Sequence, residues 1–254
     1  MTARKPAERL LPSLPKVPNL PGVGGAGRRA RFSAATKQTL LEVATDLFTE
    51  QGFRATSLDQ ITTGAEVTKG ALYHHFSGKQ AVFDAVFTAV QDDAAARISA
   101  VARTQDDPWL KAQAALRAFL DVVQEPAYQQ VVMHDGPAVL GHERFREQEE
   151  RSAYGIVQEV VGAVLEAATS TLDEPMRATF SRIFFGAMTA AGESVSSAQD
   201  PAQAVARIEA AIGFILLGLR TLSEQGVSLS DPDLALSAED GAEDGAGEPD
   251  GPTA

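Results

Sequence analysis

Apolar residues recur at spacings of three and four through most of the chain, the period of an α-helix. Leu40, Val43, Ala44, Leu47 and Phe48 form one stripe, and Val82, Phe83, Val86, Phe87 and Val90 a second. Leu116, Phe119, Leu120 and Val123 form a third, and the pattern continues through Ile156–Leu165, Phe180–Met188 and Val205–Leu219. No stretch keeps the strict alternation of a strand. Pro108, Pro126, Pro137, Pro175 and Pro201 fall between these stripes or at their starts, where a missing N–H costs little. The prediction is an all-α protein with no internal repeat. Gly52 reads as a helix stop, with Phe53 behind it to pack back.

Helix punctuation is densest between Thr56 and Gln80. "TSLD" (Thr56–Asp59) reads as a capping box with Thr56 as N-cap, opening a short helix through Ile61 to about Ala65. Glu66–Thr68 is then a tight turn with Thr68 as the next N-cap. A second short helix spans about Lys69–Phe76, and "SGKQ" (Ser77–Gln80) reads as another box that opens a longer helix. Two short helices across a three-residue turn make a helix-turn-helix. Successive residues on a helix point about 100° apart, so His74 and His75 do not grip one metal together. Leu72, His75 and Phe76 share the inward side. Lys69, Gly70, Tyr73 and His74 face out, and Gly70 and Ala71 leave the backbone open to close approach by a grooved partner such as the DNA major groove.

Composition changes this picture mainly at the ends. The chain has 254 residues and a formal net charge of −12. Residues 1–31 carry seven basic residues against Glu8, and their prolines and "GVGGAG" read as a disordered basic arm. Residues 229–254 hold eight acidic residues and no base, and read as a disordered acidic tail. The boundaries expected between them are a DNA-binding domain over 32–80 and a larger helical domain over 81–228. Cysteine is absent, which removes disulfides and thiolate metal sites and fits a cytoplasmic protein. No uninterrupted apolar run reaches the ~18 residues that span a bilayer, and no signal peptide is expected.

The runs "LLEVATDLFTEQGFRATSLDQI" and "VTKGALYHHFSGKQAVFDAV", within about Phe32–Val86, resemble the DNA-binding domain of the TetR family of bacterial transcriptional regulators. The family's Ala-Gly-Val turn is here Ala65-Glu66-Val67. A positive φ at Glu66 would cost about 1 kcal/mol relative to glycine. The resemblance implies that Thr56, Ser57 and Thr68 meet phosphates and that Lys69, Gly70 and Ala71 read bases. It implies that Tyr73 and His74 anchor the backbone or a base, and Lys79 adds charge at a helix N-terminus. Arg28, Arg29 and Arg31, just ahead of the first helix, are candidates to reach phosphate or the minor groove. Phe32–His75 has three basic residues against five acidic, so the arm would supply missing charge.

The resemblance also implies that the rear domain binds a small-molecule effector and dimerises. Candidate effector contacts are Trp109, Phe119, Tyr128, Met133, His134, Phe145, Phe184 and Met188, apolar walls with few polar groups. His134, Asp135, His142 and Glu143 match no familiar metal spacing. No cofactor or metal is expected. The last two helices, about Pro175–Ser196 and Pro201–Ser223, are the expected homodimer face. The sequence has no Gly-x-Ser-x-Gly, phosphate-cradling loop or paired-histidine motif, so an enzyme is not expected. The leading expectation is a dimeric repressor released from a palindromic operator in double-stranded DNA by an effector. An activator of the same fold, or a helical interaction module without DNA binding, are the alternatives.

Overall fold

The computed structural model describes residues 25–168 and 172–226, with side chains from Arg31 onward within those spans. Nine α-helices and one π-helical segment account for almost all of them, and no strand occurs among them. The front of the molecule contains α1 (Gly25–Ala55), α2 (Leu58–Gly64) and α3 (Lys69–His75). Helix α4 (Lys79–Ala102) runs from the front into the rear, followed by α5 (Pro108–Val122). The π-helical segment (Tyr128–Asp135) leads into α6 (Gly136–Leu140), α7 (His142–Ala168), α8 (Glu174–Ser196) and α9 (Pro201–Glu224).

Helix α1 begins at Gly25, ahead of the expected boundary at residue 32. After Pro21 the sequence holds no further proline until Pro108, and Ala and Arg are good helix formers. Residues 1–24 and the acidic stretch from 227 onward lie outside the described residues, as do the side chains of Arg28 and Arg29. The α1 stripe ends at Gly52, whose φ of 76° and ψ of 168° break the helix as the glycine foresaw. Phe53 turns back onto the rings of Phe48 and Phe83, with centroids 5.9 and 5.1 Å away.

The front core is one cluster of side chains with little or no solvent contact. Leu40, Ala44 and Phe48 of α1 meet Ile61 of α2, Leu72 of α3 and Val82, Phe83, Val86 and Phe87 of α4, all fully buried. Val131 and Val132 of the π-helical segment and Phe145 of α7 belong to the same cluster. The front and rear therefore share a core across the boundary expected at residue 80. Burial of a side chain of this size stabilises by roughly 1.5–3 kcal/mol. The rear is looser. Its two clusters, around Trp109, Val164 and Leu216 and around Leu116, Leu120, Val123 and Val195, are separate, and a cavity lies beside them.

Helix α9 is apolar on both sides. Ile208, Ile212, Leu216 and Leu219 turn inward against the rear clusters. Phe214 and Leu217 face solvent at 77% and 62% exposure. An 18-residue window of α9 reaches a mean hydropathy of 1.6, which by length and composition is enough to cross a membrane. The expectation of no such segment counted only uninterrupted runs, and α9 spreads its apolar residues among Ala, Gly and a few charges. Its inner face packs in the helical bundle.

Candidate functional site

Helices α2 and α3 form the first candidate surface. Ser57 is the N-cap of α2: its side chain accepts from the Gln60 backbone N–H, and the Gln60 side chain accepts from the Ser57 N–H at 2.8 Å. The capping box is thus Ser57–Gln60, one residue later than the Thr56–Asp59 box read from sequence. Thr56 is buried, with its hydroxyl donating to Gly52 O at 2.9 Å. This corrects Thr56 as a phosphate contact, because its only polar group is turned inward to close the α1 end.

Thr68 caps α3 as expected, its hydroxyl accepting from Ala71 N at 3.2 Å. The turn before it carries Glu66 at φ 54°, the one non-glycine with positive φ among the described residues. Glu66 therefore occupies the backbone slot where the resemblance calls for glycine. On α3, Leu72 is fully buried and Phe76, just past the helix end, is nearly so, while Lys69, Gly70, Tyr73 and His74 are exposed. His75 is half-buried, between these two sides. Lys69 is bonded to Asp59 of α2 at 2.7 Å, and this partner raises its pKa. Both ends of that pair are solvent-exposed, so the contact is weak and open to exchange for another anion.

Lys79 is a second correction. Its ammonium donates to Phe53 O at 2.7 Å and Thr56 O at 2.8 Å, reaches Arg54 O at 3.4 Å, and lies 4.3 Å from the Phe53 ring centroid. An ammonium has three donors, and here two carbonyls at the end of α1 and that of Thr56 just past it take them, so in this structure Lys79 closes the α1 end instead of facing out. The Ser77–Gln80 box is absent as well: Gly78 is the N-cap of α4 and no side chain bonds there. Arg31 is exposed on α1.

The second candidate site is a rear cavity of about 150 Å³ between α4, α5, the π-helical segment, α7, α8 and α9. Phe119, Tyr128, Met133, Phe184 and Met188 line it, as the sequence reading proposed. Three other candidates do not. Trp109 packs into the cluster with Ala112, Val164 and Leu216, and Phe145 meets Phe87 edge-on at 5.9 Å in the front core. His134 is exposed, because the wide turns of the π-helical segment point it away. Sequence reasoning missed the polar lining: Gln91 of α4, Glu149 and Ser152 of α7 and Thr189 of α8. Charged Glu149 inside a rather polar stretch of α7 gives no sequence sign that it turns inward. Burial first, then nearby Glu193, pushes its pKa up to about 7, with Arg146 opposing.

One contact joins the two sites. Asp135, the last residue of the π-helical segment, accepts the Phe53 N–H at 2.6 Å and the Gln130 side-chain amide at 3.2 Å. The same short segment thus holds the break in α1 with one end and exposes Tyr128 and Met133 to the cavity. Among the described residues, no group of three or more His, Asp or Glu is arranged to hold a metal ion.

Two family profiles match the chain. One, described as "Bacterial regulatory proteins, tetR family", covers residues 40–86, and the other, "Tetracyclin repressor-like, C-terminal domain", covers 109–219. The chain belongs to the TetR family. Its fold is similar to the crystal structure of a TetR-family transcriptional regulator from Pectobacterium atrosepticum, at 28% identity and a TM-score of 0.64 over 74% of this chain and 96% of that one. Among curated TetR-type proteins, it is 31% identical over 96 residues to the HTH-type transcriptional repressor KstR2 of Mycobacterium tuberculosis, spanning 38% of this chain and 48% of that protein. It is 33% identical over 85 residues to the HTH-type transcriptional activator FasR of Mycolicibacterium smegmatis, spanning 34% and 39%. The chain thus spans about half the length, or less, of these curated relatives. TetR-type regulators of both signs are among its relatives, and none of those named here is an enzyme.

Proposed function

We propose that the protein is a sequence-specific transcriptional regulator that binds a palindromic operator in double-stranded DNA as a homodimer, and is a repressor released by a small-molecule effector in a bacterial cytoplasm. The observation that carries this reading is the exposed side of α3: Lys69, Gly70, Tyr73 and His74 face out at a capped helix start while Leu72 anchors the helix behind them. Lys69 exchanges Asp59 for a phosphate or base edge, Gly70 and Ala71 admit close approach, and Tyr73, His74, Ser57 and Thr68 supply hydroxyl and imidazole contacts. Arg28, Arg29 and Arg31, at the start of α1, add charge from the side.

The dimer face is α8 with α9. Ile183, Phe214, Ile215, Leu217 and Leu222 are all exposed there, and large apolar groups left on one surface mark an interaction site. A two-helix face repeated by a twofold axis makes a four-helix interface. Effector in the cavity displaces Tyr128 and Met133, and the π-helical segment carries that shift through Asp135 to the end of α1 and so to α2 and α3. The effector acts only as far as it prefers one arrangement over the other.

Selection of binders from a random duplex pool tests this reading. An enriched palindrome whose half-sites lie about one helical turn apart or slightly more is the expected result, with binding lost in Tyr73→Ala. Leu217→Lys should yield a folded monomer in sedimentation and lose operator affinity. A folded dimer that enriches no sequence would overturn the reading in favour of a helical interaction module.

A further inference from the structure

The polar inventory of the rear cavity identifies the kind of molecule it accepts. None of its lining residues is Lys, Arg or His, and the wall is otherwise almost wholly aliphatic and aromatic. Two of its polar side chains lie against each other: the Ser152 hydroxyl donates to Gln148 O at 3.1 Å and is 3.4 Å from the Gln91 side-chain oxygen. Two others have no hydrogen-bond or ion-pair partner among the described residues, the Tyr128 hydroxyl and the Glu149 carboxylate. They lie near enough that the charge on Glu149 opposes ionisation of Tyr128, which burial opposes first. The groups facing Glu149 are mostly acidic: Glu193 from α8 and Glu150 from its own helix. Arg146, the cation that opposes this, is itself paired with Glu150 at 3.7 Å. His142 and Arg182 belong to the rim of a neighbouring, more open depression that Glu149 also borders.

We propose that this cavity takes a compact apolar molecule bearing one basic nitrogen, with the ammonium seated on Glu149, beside the Tyr128 hydroxyl. The proposal rests on the reading of the cavity as the effector site and narrows it to a chemical class. A void of about 150 Å³ has room for a molecule of roughly one ring, the size of benzene in an engineered cavity of that volume. Phe119, Phe184 and Phe185 line the cavity, and an aromatic ring face attracts a cation. A carboxylate or phosphate ligand would meet Glu149 with no cation in the lining to offset it, and a charge buried without a partner is costly. The raised pKa of Glu149 keeps the empty site partly neutral near pH 7, and an ammonium restores its charge.

Calorimetric titration of the full chain with benzylamine, benzyl alcohol and benzoate tests this directly. At about pH 8, benzylamine should bind at least about tenfold more tightly than benzyl alcohol, with benzoate weakest. The amine's advantage should shrink by about pH 6, as Glu149 takes up its proton. Glu149→Gln should equalise amine and alcohol while still binding the alcohol. Should that variant not fold, the pH dependence of the native chain carries the same test. Equal affinity for amine and alcohol, stronger binding of benzoate, or an amine preference that survives Glu149→Gln would overturn the assignment. Operator release distinguishes this from the broader reading. Amine-selective binding that leaves DNA affinity unchanged would sink the effector role and keep the amine site. Operator release by alcohol and benzoate without amine preference would do the reverse. No binding by any of the three would overturn the amine assignment.

Discussion

The front and rear of this molecule are packed to different standards. In the front, Leu40, Phe48, Ile61, Leu72, Val82, Phe83, Val86 and Phe87 are fully buried in one cluster. The Phe83 ring meets Phe48 edge-on at 5.4 Å and Phe53 at 5.1 Å. In the rear, the core divides into two clusters beside a cavity, and its last helix leaves Phe214 and Leu217 in solvent. A close-packed core tolerates neither added nor lost volume, so the front is committed to one shape. The rear keeps unfilled volume and uncovered surface, which is where other molecules can change its energy. The difference teaches how the proposed function divides: DNA recognition would rest on the rigid half, and response on the incompletely packed one.

The sharpest way to break that comparison is to truncate one large side chain in each half. Phe83→Ala should cost about 3–5 kcal/mol in urea unfolding, whereas Met188→Ala, at the wall of an existing cavity, should cost about 2 kcal/mol or less. Equal costs would erase the distinction. Next comes the link between the halves. Asp135→Ala removes a charged acceptor from the Phe53 N–H and should cost about 1.5–3 kcal/mol. It should also weaken the effect of cavity ligands on DNA affinity, as read by fluorescence titration at several ligand concentrations.

The third effect depends on pH. Glu149 has a folded pKa of about 7 against an ordinary 4.5, so between those values the folded state holds the extra proton. Stability from this group is therefore complete below about pH 4.5 and is lost as pH rises through about 7. Glu149→Gln should gain about 1–2 kcal/mol at pH 8, discounted for partial solvent access, and nothing at pH 4. Thermal melts across that range check it, and no gain at any pH would place the carboxyl in water. The smallest effect belongs to the front. Glu66→Gly relieves a positive φ and should gain about 0.5–1 kcal/mol, measurable as a shift in the urea midpoint.

The same contrast decides what the sequence disclosed. The helix-turn-helix was legible because its determinants are local: the Gly52 stop, the Thr68 cap and the positive φ at Glu66 are each set by residues within a few positions. The reading still slipped by one residue at Thr56, although the capping-box rule favours Ser57, whose N3 residue is Gln60, over Thr56, whose N3 residue is Asp59. Lys79 misled because a cation near a helix start reads as a phosphate contact, while its carbonyl partners lie 23 to 26 residues back. The bond between Asp135 and Phe53 spans 82 positions, and no periodicity reports such a pairing. The aromatic and methionine lining of the cavity was partly foreseen from composition. Glu149 was not, because a glutamate on a helix normally signals the solvent side.

The two-sided apolar character of α9 carries one more consequence. In the proposed dimer a second copy covers Phe214, Ile215 and Leu217, which are exposed in the single chain, so on that reading the stability of the fold depends on protein concentration. Anything that binds only the folded, paired state stabilises it by mass action. At low abundance the chain should unfold at lower temperature and fall more readily to proteolysis. The proposed dimer would thereby tie stability to concentration through the exposed side of one helix.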